Sequence, residues 1–85
     1  MGKTSLTKEE VKNIITDDTF LRKASNYLEK YLENENNSKT FKFGESSIYF
    51  VVDGHRFKSQ FDDNITPNYN TPYYVAINIE YIGIE

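Results

Sequence analysis

Ile48-Tyr49-Phe50-Val51-Val52-Asp53-Gly54-His55-Arg56-Phe57-Lys58-Ser59 reads IYFVVDGHRFKS. Runs rich in aromatic and β-branched residues flank an Asp-Gly pair. That pair suits a two-residue hairpin, because both central positions of such a turn need positive φ. A turn there sets Val52 opposite His55, Phe50 opposite Phe57 and Ile48 opposite Ser59. Ile48, Phe50, Val52 and Phe57 then share one face. A slip of a single residue would send each of them to the wrong side.

Upstream, Phe41 and Phe43 alternate with Lys42 and meet Gly44-Glu45. A turn at Gly44-Glu45 would pair Phe43 with Ser46 and Phe41 with Ile48. It places Phe41 and Phe43 on the same face as the first hairpin's apolar residues, so two independent turns agree. Downstream, residues 62–72 form a polar connection, and Pro67 and Pro72 keep it out of a central strand. The last strand signal runs from Tyr73 to Ile82. It alternates Tyr73, Val75, Ile77, Ile79 and Tyr81 with Tyr74, Ala76, Asn78 and Glu80. Gly83 marks a bulge or the end of the sheet.

Before these strands the apolar period is helical. Residues 1–4 read as a frayed tail. Thr7 and Glu10 have capping-box spacing, each side chain reaching an unpaired backbone N–H of the other. Val11, Ile14 and Ile15 make the stripe of a short helix ending near Thr16. Asp17 or Asp18 can cap a second helix. Its apolar residues are Phe20, Leu21, Ala24, Tyr27, Leu28, Tyr31 and Leu32, in steps of three and four. Asp18 and Arg22 are four apart and can pair. Residues 34–38 lack a period and read as a helix-to-strand loop. The expected fold is one α+β domain in the order α-α-β-β-β-β. Two helices cover one face of a three- or four-stranded antiparallel sheet.

Composition narrows the chemistry. The 85 residues include 0 Cys, which excludes disulfides and thiolate catalysis. The formal charge of -3 weakens a phosphate-backbone partner. No long apolar run suits a membrane span, and the start lacks the apolar core of a secretion signal. A cytoplasmic protein is expected. Its frequent Lys, Asn and Ile suit an AT-rich bacterial or phage gene.

No motif points to a cofactor. His55 is the lone histidine. It faces the core side at the end of the sheet, and a general base needs a partner and a pocket. Its flanking of a turn accounts for it more simply than catalysis or metal binding. Asp62-Asp63-Asn64 offers oxygen ligands but not the spacing of a calcium loop, so a solvated loop is the simpler reading. Gly2-Lys3-Thr4-Ser5 lacks the strand and glycine-rich cradle of a phosphate-binding loop.

The outer sheet face is more informative. It is expected to carry Thr40, Lys42, Ser47, Tyr49, Val51, Arg56, Lys58 and Gln60. Tyr74, Ala76, Asn78, Glu80 and Ile82 join them from the last strand. Tyr49, Val51, Arg56, Lys58, Tyr74 and Ile82 are the candidate surface for a protein partner, since Tyr and Arg are common hot-spot residues. Lys42, Tyr49, Arg56, Lys58 and Tyr74 could instead stack bases and hold phosphates of a single-stranded nucleic acid. A merely solvated face is the plain alternative. Strand 73–82, if at an edge, could pair with its own copy in a homodimer. Tyr27 and Tyr31 read as core-edge residues. The chain is therefore read as a small non-enzymatic protein-binding module, acting as a regulator, inhibitor, adaptor or immunity-type factor.

Overall fold

The computed structural model describes residues 4–65 and 73–85. Helix α1 spans Lys8–Ile15, α2 Asp18–Glu33 and α3 Glu35–Thr40. Strand β1 spans Ile48–Val52, β2 His55–Ile65 and β3 Tyr74–Ile84. The fold is α+β: helices followed by an antiparallel sheet in the order β1-β2-β3. Of the expected tail at residues 1–4, residues 1–3 lie outside the described residues, as do residues 66–72 of the expected connection at 62–72.

Local chemistry sets the helix starts. The Thr7 hydroxyl accepts from the Glu10 N–H at 3.2 Å, and the Glu10 carboxylate accepts from the Thr7 N–H at 3.0 Å. This is the reciprocal capping box. Asp17, rather than Asp18, caps α2 by accepting from the Phe20 N–H at 3.4 Å. That leaves Asp18 to pair with Arg22 at 2.7 Å.

Two expectations fail between the second helix and the first hairpin. Residues 34–38 are not simply a loop, because α3 begins at Glu35. The Asn34 side chain accepts from the Asn37 N–H at 3.1 Å. Glu35 and Lys39 approach to 3.5 Å across one turn. A polar six-residue helix held by its cap shows no apolar period.

Nor do Phe41–Phe43 form a strand. The carbonyl of Lys42 accepts from the N–H groups of Glu45 and Ser46, closing a turn. Gly44 at φ 79 then donates its N–H to the Phe61 carbonyl at 2.8 Å. The turn thus bonds to β2 where β1 has ended. Thr40, in α3, and Lys42, in this turn, are consequently not part of the sheet. Phe41 and Phe43 still pack against the core.

The hairpin has the expected register, with Ile48 opposite Ser59, Phe50 opposite Phe57 and Val52 opposite His55. Asp53 and Gly54 take φ of 52 and 81, as the turn requires. Phe20, Ala24 and Leu28 of α2 bury against Phe50, Phe57 and Phe61. The Phe20 ring meets Phe57 edge-on at 4.9 Å and lies 5.9 Å from Phe50. Apolar burial of this kind is the main stabilising term in a small domain.

Strand β2 continues to Ile65, so residues 62–65 belong to it and not to a loop. Strand β3 lies at the sheet edge beside β2. The strict alternation expected of β3 does not hold. Gln60 faces Ile77 and Lys58 faces Glu80, so two steps along β2 match three along β3. The extra residue lies at Asn78–Ile79, where Asn78 takes φ 51. Tyr74 and Ala76 therefore face the core before the bulge, and Ile79 and Tyr81 face it afterward. Another shift falls at Gly83, opposite Arg56.

Candidate interaction surface

The helices cover the face that buries the phenylalanines, and the opposite face is open. Tyr49 is 70% exposed and Ile82 45% exposed. Tyr49 sits opposite Lys58, which sits opposite Glu80. The next row joins Val51, Arg56 and Gly83, with Ile82 adjacent. Tyr49, Val51, Arg56, Lys58 and Ile82 thus occupy neighbouring rows of one face.

Tyr74 must be removed from the candidate surface. Its ring lies 5.4 Å from Phe43, and it packs against the core. Its N–H donates to the buried Ser25 hydroxyl at 3.0 Å. Ala76 is buried as well. The cause is the bulge, which reverses the parity of everything before Asn78. Val75 and Ile77, both half-buried, take the outer side instead. Asn78 gave no strong warning in the sequence, although Asn tolerates positive φ better than most residues.

The charges on this face are largely used internally. The Lys58 ammonium reaches the Glu80 carboxylate at 3.0 Å. Its hydrogen bond to Glu80, then the negative charge of Glu80, holds the Lys58 pKa above the usual lysine value. The Asn78 amide donates to the Gln60 side chain at 2.6 Å. Gln60 in turn donates to the Glu45 carbonyl at 3.3 Å. Arg56 is exposed. Of the residues proposed for nucleic acid, Tyr74 faces away, Lys42 lies in the turn before β1, and Lys58 is neutralised by Glu80.

His55 is on the core side, as its register requires. Its Nδ1 lies 3.0 Å from the Tyr81 hydroxyl, which also accepts from the Leu6 N–H at 3.2 Å. This contact ties the segment before α1 to the end of β3. The ring also lines a cleft of about 290 Å³ with Phe20, Val52 and Phe57 on its walls. At Asp62 one carboxylate oxygen accepts from both the backbone and the side-chain N–H of Asn64. These bonds, the backbone one foremost, lower the Asp62 pKa. Among the described residues, no three His, Asp or Glu side chains gather as a metal-binding group. No described helix is long and apolar enough to cross a membrane. No family model, curated protein or solved structure matches the chain.

Proposed function

We propose that this protein works by binding another protein through the open face of its sheet, without catalysis of its own. Tyr49 and Ile82, both exposed on a face that no helix covers, are the observation that supports this reading. Val51 adds apolar surface beside Tyr49, and Ile77 extends the face beyond the Lys58–Glu80 row. Arg56 supplies a polar anchor, and Arg with Tyr is common among residues that dominate binding energy. The Lys58–Glu80 pair beside Tyr49 is already satisfied, so it demands no charged group from the partner. A regulator, inhibitor, adaptor or immunity-type factor needs no more than such a surface. Nucleic acid is disfavoured because the basic set on the face reduces to Arg56 once Lys58 is paired.

A second reading has its own observation. Strand β3 lies at the sheet edge, where pairing with the same strand of another copy would continue the sheet. The bulges at Asn78 and Gly83 interrupt that edge, which favours the face over it.

The test is site-directed photocrosslinking in cells that make the protein. A photoreactive side chain replaces Ile82 or Tyr49, with Glu9 in α1 as the control position. Discrete protein adducts from the two sheet positions and none from Glu9 are expected. Adducts to RNA or DNA, or equal labelling from Glu9, would defeat the reading. A dimer-sized adduct with the chain itself would transfer support to the β3 edge.

A further inference from the structure

The exposed aromatics do not scatter. Tyr27 at 41%, Tyr31 at 36% and Tyr49 at 70% are the exposed large aromatics of the described chain. All three line one groove of about 450 Å³ between α2 and the free edge of β1. Ile48, Ser47 and Lys30 complete its walls. Tyr27 and Tyr31 are four residues apart on α2, so both project toward the strand. The Tyr27 ring stacks on Phe50 at 5.6 Å, and the Tyr31 ring meets Phe41 edge-on at 5.9 Å. Core contacts therefore hold both rings in place while part of each faces the groove.

The strand side offers backbone. The Tyr27 hydroxyl donates to the Val51 carbonyl at 2.8 Å, so that carbonyl points away from β2. In an antiparallel pair the outward direction recurs every second residue. The N–H and C=O of Tyr49 therefore point into the groove as well. An edge of this kind accepts an added strand through main-chain bonds, with flanking pockets selecting side chains. Tyr27 occupies the acceptor at Val51 and so marks where the added strand must stop.

Charge selects the occupant. Lys23, farther along the same side of α2, is paired with Asp53 at 3.8 Å. Lys30 makes no ion pair among the described residues. The groove is thus locally positive in a chain of net charge -3. A second copy would set one Lys30 against another and one acidic chain against another. A carboxylate beside Lys30 satisfies it.

We propose that the groove between α2 and β1 takes an extended, acidic segment of a partner protein, added to β1 as a further strand. Apolar or aromatic side chains of that segment lie against Tyr27, Tyr31 and Ile48, and a Glu or Asp meets Lys30. This site shares Tyr49 with the open face but does not use Arg56 or Ile82, so Arg56→Ala distinguishes the two.

A library of random twelve-residue peptides displayed on phage is panned against the full chain. The enriched sequences are then made as free peptides. The expected peptides carry Asp or Glu among β-branched and aromatic residues. Their affinity falls about tenfold with Lys30→Glu and with Tyr31→Ala, and stays unchanged with Arg56→Ala. Hydrogen exchange of the Tyr49 amide slows on binding in the parent protein. Circular dichroism checks that each variant folds, and Lys30→Glu, at an exposed position, serves alone if Tyr31→Ala does not. No enrichment, acidic peptides indifferent to Lys30→Glu, or loss on Arg56→Ala would each overturn the proposal. So would a dimer of the chain that survives Lys30→Glu and excludes the peptides.

Discussion

Between β1 and β2 every residue has one partner across the ladder, whereas between β2 and β3 the register shifts three times. The two ladders share a strand and differ in how they are closed. A two-residue turn joins β1 to β2 and leaves no freedom in pairing. The connection from β2 to β3 is long, so β3 takes whatever register buries its apolar residues. Tyr74 and Ala76 face the core at one end and Ile79 and Tyr81 at the other. Those two sets differ in parity, so one residue must be absorbed between them, and Asn78 absorbs it at φ 51. Ser59, buried opposite this bulge, donates to the Gln60 carbonyl at 2.6 Å and lies 3.3 Å from the Ile77 carbonyl. Its hydroxyl supplies a partner where the ladder is interrupted.

The largest expected effect comes where the ladders meet. Phe57 pairs with Phe50 on one side and Tyr81 on the other, and is 1% exposed. Phe57→Ala should cost about 3–5 kcal/mol, most of the stability of an ordinary small domain. Urea unfolding measures it, and a loss below about 1 kcal/mol would mean the ladders do not share this core. Deleting Asn78 attacks only the irregular ladder. Without the extra residue, either Tyr74 or Tyr81 must leave the core with its neighbour, at a cost on the order of 3 kcal/mol. Asn78→Gly keeps the residue count and relieves the positive φ, so it should stay within about 1 kcal/mol of the parent. Equal stability of the deletion and the parent would show that Asn78 is not the residue the bulge absorbs.

This contrast also marks what the sequence discloses. The hairpin was legible because Asp53-Gly54 names its turn type and the flanking residues alternate without interruption. The capping box of α1 and the apolar stripe of α2 were legible for the same local reason. The bulge was not, because Val75, Ile77, Ile79 and Tyr81 alternate perfectly in sequence and only packing against α2 reveals the change of side. Read without the bulge, that alternation puts Tyr74 on the outer face and Val75 and Ile77 inward. The alternation of Phe41 and Phe43 rightly marks them as core residues, but a turn carries them in place of a strand. Of the candidate surface, Tyr49, Val51, Arg56 and Lys58 were placed by the hairpin alone. Their company with Tyr27 and Tyr31 across the β1 edge depends on how α2 crosses the sheet, which no local pattern encodes.

Glycine substitutions sharpen the comparison on a smaller scale. Gly54 at φ 81 is enclosed in a turn that both strands must satisfy. Gly54→Ala should cost about 1–2 kcal/mol, because a side chain disfavours that backbone region. Gly83 has the less accessible φ of 139, although an added Cβ there would meet nothing within 4 Å. The strain is similar in kind, but at that end lie just the Arg56–Gly83 and His55–Ile84 pairs and the bond from the Glu85 N–H to the Gly54 carbonyl. The chain can release them, so Gly83→Ala should cost less than about 1 kcal/mol and show as faster amide exchange at Ile84. A larger loss at Gly83 than at Gly54 would reverse the assignment of the rigid and adaptable ladders.

The smallest effect concerns how the irregular ladder begins. Just before β3, the Tyr73 hydroxyl donates to one Asp18 oxygen at 2.8 Å, while Arg22 donates to the other at 2.7 Å. The Arg22 guanidinium carbon also lies 5.2 Å from the Tyr73 ring centre. The hydrogen bond from Arg22, and then that from Tyr73, holds the Asp18 carboxyl below its usual value of 3.8. A carboxylate whose folded pKa is depressed stabilises the fold above its unfolded pKa, and that contribution disappears as pH falls through the folded one. The window therefore lies below about pH 4, and the effect is small because Asp18 is exposed. Carbon-detected NMR should place the Asp18 midpoint below 3.8, with Arg22→Gln raising it more than Tyr73→Phe. Tyr73 behaves in the complementary sense: burial first, and then its bond to Asp18, push its phenol above 10.0. Its contribution is present below the unfolded phenol pKa and is lost as pH rises through the folded one. If Tyr73→Phe leaves the Asp18 midpoint unmoved, the tie between α2 and the entry to β3 is absent. The register of β3 would then rest on its core-facing residues alone.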